Sequence, residues 1–268
     1  MTTVPTSPSP AANALATRHR LGSLEHTFRP ESEVGVQEKY RMWFIVGSLV
    51  GIAALLGGGV LLWVKVHWGV AIFPLWIGVL AAWAVGQSPL FRSRLAARRL
   101  HLYEHGLVVN TSGSGLFAAR WERVVLYQET VQEVIDYKGT RTPVGSAHVS
   151  QLVAPGGAKA RITDVYAGSH TWAPLIAEAV ARAQVEKMWK LVREGGTVGF
   201  GPYKLSAAGV TNASGEVLPW RDVSEVAVRG GMVCVWRSGR TKAWAAPKAP
   251  QVPNLLVFLT IADNLRRR

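Results

Sequence analysis

Residues 100–109 read LHLYEHGLVV, and residues 203–212 read YKLSAAGVTN. In each stretch a leucine stands four positions before a glycine, and an aliphatic residue follows that glycine. Apolar residues interrupted by a glycine are typical of a strand that ends in a tight turn. The two stretches therefore predict the same local structure at two places in the chain.

The similarity between the two places continues downstream. Trp121 leads a β-rich run in RWERVVLYQETVQEV, and Trp220 leads another in PWRDVSEVAV. A hairpin signal follows in each half, VAPGGAKARI in the first and WRSGRTKAW in the second. Each half then ends in an amphipathic helix, the first over about residues 171–194 and the second after Asn254, a candidate N-cap. The sequence predicts a repeat of antiparallel strands followed by one helix.

Two long uncharged stretches lie before this repeat. Residues 43–64 read WFIVGSLVGIAALLGGGVLLWV, which as a helix would be about 33 Å long. The second stretch runs from Val70 to about Leu90, and a buried core helix is the alternative interpretation for it. Basic residues flank the outer ends, and only Lys65 lies between the stretches. The pattern predicts an integral, multi-pass protein of the cell membrane, held in the lipid bilayer with both termini cytoplasmic.

Small residues recur along both stretches. They are Gly47, Gly51, Ala54 and Gly58 in the first, and Gly78, Ala82 and Gly86 in the second. Such steps allow two helices to approach closely. We therefore predict close packing within the helical hairpin or, between copies, a homo-oligomer formed through these small-residue faces.

The chain divides into four predicted segments. Residues 1–20 are rich in Thr, Ser, Pro and Ala, which predicts disorder. The segments are a disordered tail with a cytoplasmic pre-membrane part over 1–40, a transmembrane helical hairpin over 41–91, and two repeat units over 97–195 and 197–268.

The stretches LGSLEHTFRP, LYEHGLVV, FGPYKLSAAGV and VPNLLVFL give the chain a resemblance to a family of uncharacterised bacterial membrane proteins. Its units resemble bacterial pleckstrin-homology-like and GRAM-like domains, in which a bent barrel is plugged by one helix. The resemblance implies an α+β fold, with a transmembrane hairpin followed by two tandem pleckstrin-homology-like units. It implies no particular activity.

Residues 101–105, HLYEH, match the H-x-x-E-H pattern of one class of zinc peptidase. Two histidines four residues apart share a metal on a helix, but on a strand they stand about 13 Å apart. Zinc–nitrogen bonds are about 2.0–2.1 Å long, so a strand cannot supply both ligands. We therefore predict no metal site here and no cofactor.

The sequence contains neither a G-x-S-x-G motif nor a P-loop. Cys234 alternates with valines in a predicted strand, which is typical of a packed thiol. These observations predict a protein that is not an enzyme.

The net charge of +13 and the pI near 10.4 indicate an anionic partner. Lipid-binding members of the wider superfamily hold phosphate headgroups with basic loops, so the resemblance suggests a headgroup site here. The candidate residues are Lys138, Arg141, Lys159 and Arg161. Nucleic acid is not an expected partner, because exposed aromatic residues do not alternate with the basic ones.

The functional prediction is a non-enzymatic scaffold at the membrane that binds an unknown protein partner. A strand edge or a barrel groove would supply the contact. The alternative is recognition of anionic lipid headgroups by the four basic residues of the first unit.

Overall fold

A computed structural model describes residues 8–30, 38–65, 68–87, 98–111, 115–137 and 140–267. The protein is of the α+β class, with several antiparallel sheets. Its chain divides into two compact units, one formed by Met1–Phe28 with Leu100–Arg268 and the other by Arg29–Arg99.

The described α-helices, in chain order, are α1 (Pro10–His19), α2 (Glu38–Lys65), α3 (Trp68–Gln87), α4 (Ser169–Arg193) and α5 (Leu255–Arg266). In the first half of the repeat the strands are β1 (Leu24–Phe28), β2 (Leu100–Tyr103), β3 (Gly106–Thr111), β4 (Gly115–Arg120), β5 (Val125–Tyr137), β6 (Thr140–Val153) and β7 (Lys159–Ile162). In the second half they are β8 (Val198–Phe200), β9 (Tyr203–Leu205), β10 (Gly209–Thr211), β11 (Val217–Pro219), β12 (Val223–Arg229), β13 (Met232–Arg237) and β14 (Ala243–Ala245).

Each half has the same strand connectivity. The first half forms a four-stranded sheet in the order β1-β2-β3-β4 and a three-stranded sheet in the order β5-β6-β7. The second half repeats this with β8 to β11 and β12 to β14. A helix follows each set of seven strands, α4 in the first half and α5 in the second. The second half therefore has as many strands as the first, although its strands are shorter.

The repeated glycine and tryptophan have equivalent roles in the two halves. The Nε1–H group of Trp121 donates to the carbonyl of Tyr103 at 3.0 Å, and that of Trp220 donates to the carbonyl of Ser206 at 2.8 Å. A Cβ atom at Gly106 would collide with the carbonyl oxygen of Ala119 on the adjacent strand. Glycine is therefore required where β3 leaves the turn, because β4 lies too close for a side chain.

Helices α4 and α5 pack into one continuous hydrophobic core. Trp172 of α4 is fully buried, and its Nε1–H group donates to the carbonyl of Tyr166 at 3.1 Å. Phe258 of α5 stacks on Tyr203 at a centroid distance of 5.0 Å and meets Phe200 edge-on at 5.5 Å. Burial of these rings supplies much of the stabilisation of each half.

A buried polar network joins the two halves. Asn254 immediately precedes α5, as predicted for an N-cap, but its side chain makes no cap hydrogen bond. Its Oδ1 atom accepts from the N–H of Leu126 at 2.8 Å, and its Nδ2 group donates to Oε1 of Gln184 at 2.8 Å. The Nε2 group of Gln184 donates to the carbonyls of Trp121 at 2.7 Å and Val124 at 2.9 Å. The network fixes α5 against α4 and β5.

The N-terminal segment differs from the predicted disordered tail. The side chain of Ser9 caps α1 by accepting from the N–H of Ala12 at 3.2 Å. One face of α1 packs on the outer face of the first sheet, in a small cluster of buried residues: Ala12, Ala16, Leu21, Tyr103 and Val108. Composition alone favours disorder, whereas the spacing of the two alanines lets a short helix bury them against a sheet.

Tyr103 carries an unpaired hydroxyl in this cluster. Its side chain is buried, its oxygen has no hydrogen-bond partner among the described residues, and desolvation raises the pKa of the phenol above its ordinary value. An unpaired buried hydroxyl costs about 1–3 kcal/mol. We expect Tyr103→Phe to raise the free energy of unfolding by about 1 kcal/mol, measured by urea unfolding.

Tyr203 supplies the matched control for that substitution. Its hydroxyl is also buried, but it donates to the carbonyl of Val233 at 2.8 Å. Tyr203→Phe should therefore lower the free energy of unfolding by about 1 kcal/mol. Equal losses in both variants would contradict the assignment of an unpaired hydroxyl at Tyr103.

Among the described residues, no helix combines the length and the apolarity needed to cross a membrane. The predicted transmembrane hairpin is therefore wrong. The predictions that depended on it are also wrong: the multi-pass membrane location, the cytoplasmic placement of the termini and the integral membrane scaffold. The hairpin prediction rested on the absence of charge, on the length of the first stretch as a helix and on the flanking basic residues, whereas a span also requires about 20 predominantly apolar residues. Glycine occupies five positions of α2, and Pro74 lies inside α3.

The unit formed by Arg29–Arg99 is a pair of packed helices. A Cβ atom at Gly59 would meet the side chain of Leu75, and one at Gly78 would meet Leu56, so these two glycines allow close contact. At Gly47 and Gly51, an added Cβ has no atom of the described residues within 4 Å. Apolar side chains more than half exposed on this pair include Trp43, Val50, Leu61, Val64, Phe73, Trp76, Val79 and Trp83. The predicted homo-oligomer through small-residue faces stays a prediction.

This helical unit is inserted in the chain between two paired strands. Strand β1 pairs antiparallel with β2, and Phe28 faces Leu100 across the pair. The chain ends left by removing the insertion are therefore close enough for a hairpin turn. We expect replacement of residues 30–98 by Asn-Gly to leave the melting temperature within about 4 °C, which is the shift that roughly 1 kcal/mol produces in a domain of this size.

Calorimetry of the shortened protein tests this expectation. The matched control keeps the insertion and replaces residues 112–114, which separate β3 from β4 in the sequence, by the same dipeptide. Loss of cooperative unfolding in the shortened protein alone would show that the first sheet depends on the inserted helices.

Candidate functional site

A groove of about 620 Å³ runs beside strand β4. We call it the β4 groove. One wall is α1, through Leu15 and His19, and the other is the turn between β6 and β7. Its lining residues are Leu15, His19, Leu116, Phe117, Ala118, Ala119, Arg120, Arg123, Ala154, Pro155, Gly156, Ala158 and Lys159.

The backbone of β4 presents hydrogen-bonding groups to this groove. Among the described strands, β4 is the last of its sheet and pairs with β3 alone. The N–H of Trp121 donates to the carbonyl of His105 at 3.0 Å, which identifies these two residues as a hydrogen-bonded pair. Hydrogen-bonded and non-hydrogen-bonded pairs alternate along an antiparallel ladder. The N–H and C=O groups of Leu116 and Ala118 therefore point away from β3, toward the groove.

The corresponding edge in the second half is protected. Strand β11 is only three residues long and ends at Pro219. Short edge strands and edge prolines prevent pairing with another chain. Strand β4 has six residues and contains no proline. At the far edge of the same sheet, β1 is interrupted by a bulge between Leu24 and His26. Of these three edges, β4 is the one suited to pairing with another strand.

Basic side chains lie at one end of the β4 groove. Arg120 is held in place, because its guanidinium donates to the carbonyl of Arg20 at 3.2 Å and to Glu122 at 2.9 Å. The hydrogen bond and charge of Arg120 hold the pKa of Glu122 below its ordinary value. Arg123 and Lys159 are exposed, and neither forms an ion pair with any residue in the described part of the chain. These two cations are available to a ligand.

Both cations line the groove beside the C-terminal end of β4. The N–H of Arg123 donates to the carbonyl of Arg120, the last residue of the strand, at 3.2 Å. Lys159 faces Val153 in the sheet, and Val153 in turn faces Val125, which begins the strand after β4. At the other end of the groove, Leu15 and Leu116 form an apolar surface. The groove therefore has a cationic end and an apolar end.

The structure brings together two of the four predicted headgroup residues. Lys159 and Arg161 are exposed on the same face of β7, and Lys159 also lines the β4 groove. Arg141 faces Asp136 in the β5–β6 ladder, and its side chain is not described. Lys138 lies outside the described residues. The headgroup site stays a prediction.

Sequence reasoning missed Arg123 and the open edge of β4. Arg123 stands two residues after the repeated tryptophan, where the second half has Asp222. The local signal for the edge is the run GLFAAR, which has no proline and no charge before Arg120. Position at the edge of a sheet cannot be read from that run, because it depends on which strands pair.

The two histidines of HLYEH have separate environments. His101 is buried in β2, where its Nδ1 atom lies 3.0 Å from the hydroxyl of Thr27. His105 lies in the turn that follows, with Nε2 3.6 Å from the carboxylate of Glu104. Within the described ranges, no three His, Cys, Asp or Glu residues are grouped as metal ligands.

The fold and the groove define an α+β protein built from two seven-stranded halves, with an open strand edge in the first. The chain belongs to a family of unknown function, DUF6585, whose model matches residues 9–267. That description names neither a membrane protein nor a pleckstrin-homology-like fold. No curated protein and no solved structure matches the chain.

Proposed function

We propose that the protein is a non-enzymatic interaction domain that binds an extended segment of a partner protein in the β4 groove. The segment adds a strand to the edge of β4, so that its backbone pairs with the outward groups of Leu116 and Ala118. The observation that carries the proposal is an unprotected edge strand inside a groove.

The groove also has the dimensions and charge for such a ligand. Its volume of about 620 Å³ lies within the ordinary range of binding sites, and it is partly walled by a helix and a turn. Its basic lining residues favour a segment that carries negative charge. Main-chain pairing would supply affinity, while the apolar and cationic ends would supply specificity.

We also propose that each half is a pleckstrin-homology-like or GRAM-like unit. Seven strands in two antiparallel sheets, followed by a helix that packs into the core, support this proposal. Such a scaffold suits an interaction role because its strand edges and loops can vary without disturbing the core.

The test is selection of peptides on the immobilised full-length chain. The probe is a pooled random dodecapeptide library, displayed both with free C-termini and as internal segments. We expect enriched peptides whose affinity, measured by fluorescence anisotropy, falls at least tenfold in Ala118→Pro. Proline at this position removes the outward N–H and blocks the edge, while the ladder to β3 stays intact.

Ala118→Ser is the matched control, because it keeps the backbone N–H and should bind as the unmodified chain does. A second variant, Lys159→Glu, tests the basic lining of the groove. Its control is Lys204→Glu, because Lys204 is an exposed lysine on β9. No enrichment on the unmodified chain, or equal binding by Ala118→Pro and Ala118→Ser, would contradict strand addition at β4. Enrichment that disappears when anionic vesicles compete would instead favour headgroup recognition.

A further inference from the structure

We infer that the β4 groove recognises the C-terminal end of its partner, with the terminal carboxylate held by Arg123 and Lys159. This inference rests on the proposed strand addition and specifies the ligand. It starts from the unequal ends of the groove, one cationic and one apolar.

The cationic end is compact. It is bounded by the last residue of β4, by the end of α1 and by the β6–β7 turn. The turn is closed by hydrogen bonds from the N–H of Ala154 to the carbonyl of Ala158 and from the N–H of Gly157 to the carbonyl of Ala154, both 2.9 Å. The edge of β4 ends here, because the carbonyl of Arg120 accepts from the N–H groups of Arg123 at 3.2 Å and Val124 at 3.1 Å. A bound strand gains no backbone pairing with β4 beyond this point, which favours a ligand that ends there.

The charges select one ligand polarity. At neutral pH a peptide C-terminus carries a negative charge, and most N-termini carry a positive charge. Arg120 is already paired with Glu122, which leaves Arg123 and Lys159 to attract a carboxylate and to repel an ammonium group. The ligand carboxylate therefore lies at the C-terminal end of β4, and the bound strand runs parallel to β4.

The apolar end of the groove then determines which ligand side chains fit upstream of the terminal carboxylate. Side chains alternate along a strand, so every second ligand residue faces the same wall of the groove. The wall formed by α1 presents Leu15 beside Leu116. The ligand class is thus a peptide C-terminus in which apolar residues occupy alternate positions upstream of the free carboxylate.

An internal acidic side chain is the alternative source of negative charge. It would require the ligand to continue past Arg120, the residue at which the edge of β4 ends. A terminal carboxylate requires no such passage. The two sources are distinguished by blocking the terminus.

The experiment compares the peptides enriched from the library with free C-termini with those enriched from the library of internal segments. We expect enrichment from the library with free C-termini. The tightest peptide is then synthesised with a free carboxylate and with a C-terminal amide, and both are titrated into the full-length chain. Amidation should weaken binding at least tenfold. Arg123→Glu should weaken the free-acid peptide similarly, and it should leave the weak binding of the amide unchanged.

Arg221→Glu is the matched control, because Arg221 is an exposed arginine in the corresponding turn of the second half. It should leave both affinities unchanged. Equal binding of the acid and amide peptides would overturn the carboxylate inference, and so would enrichment confined to internal segments. Neither outcome bears on strand addition, which the Ala118→Pro variant tests separately. Failure of both libraries would overturn the proposed function as well.

Discussion

Replacement of Asn254 by alanine is expected to lower the free energy of unfolding by about 3–5 kcal/mol. The change leaves the buried N–H of Leu126 and the buried Oε1 of Gln184 without their partners. Each unpaired group costs about 1–3 kcal/mol. Asn254 also has a φ of 50°, a left-handed conformation that alanine adopts at a cost of about 1–2 kcal/mol.

Asn254→Gly separates these two contributions. Glycine adopts the left-handed conformation without strain, so this variant loses only the hydrogen bonds. It should be about 1 kcal/mol more stable than Asn254→Ala. Urea unfolding followed by tryptophan fluorescence measures both variants. A loss below about 1 kcal/mol in Asn254→Ala would show that the network does not hold the two halves together.

Replacement of Gly106 by alanine is expected to cost about 2–3 kcal/mol. The new methyl group would collide with the carbonyl oxygen of Ala119 and lie 2.7 Å from the side chain of Leu21. Relief requires β3 and β4 to separate at the turn. Gly209→Ala should have a similar effect, because its methyl group would collide with the carbonyl of Leu218.

Gly199→Ala is the matched control for both glycine variants. Gly199 lies in β8, has no atom within 4 Å of an added Cβ and should accept alanine without loss. Thermal unfolding of the three variants checks the equivalence of the two halves. A large loss at Gly106 with none at Gly209 would contradict equivalent packing at the two turns.

The repeat was predictable from the sequence because its signals are local. The glycine that begins the third strand of each half and the tryptophan after the fourth keep the same spacing, and Trp121 and Trp220 make the same hydrogen bond in the structure. These signals act within a few residues, so they survive in a single sequence. The helices that end each half were readable for the same reason.

The contribution of the N-terminal segment was not predictable, because its contacts are distant in sequence. Strand β1 pairs with β2 across an insertion, and Phe28 meets Leu100. Helix α1 is stabilised through Ala12 and Ala16 against a sheet that the local sequence does not reveal. Threonine, proline and alanine content indicated disorder because composition contains no information about such a partner surface.

The predicted membrane hairpin failed for a different reason. That prediction rested on uncharged stretches, helix length and flanking basic residues, whereas no helix in the described ranges combines the length and the apolarity of a span. The candidate site was only partly predictable. Lys159 was identified by its charge, whereas Arg123 joins it only because the fold brings both residues into the lining of the β4 groove.

Residue-resolved hydrogen exchange of the full-length chain, with and without the tightest selected peptide, tests strand addition at β4 most directly. In the unbound protein, the amides of Leu116 and Ala118 should exchange faster than those of Phe117 and Ala119, which face β3. Saturating peptide should slow exchange at Leu116 and Ala118 at least tenfold and leave Phe117 and Ala119 unchanged. Unchanged exchange at Leu116 and Ala118, with new protection on another strand, would contradict binding at the β4 edge.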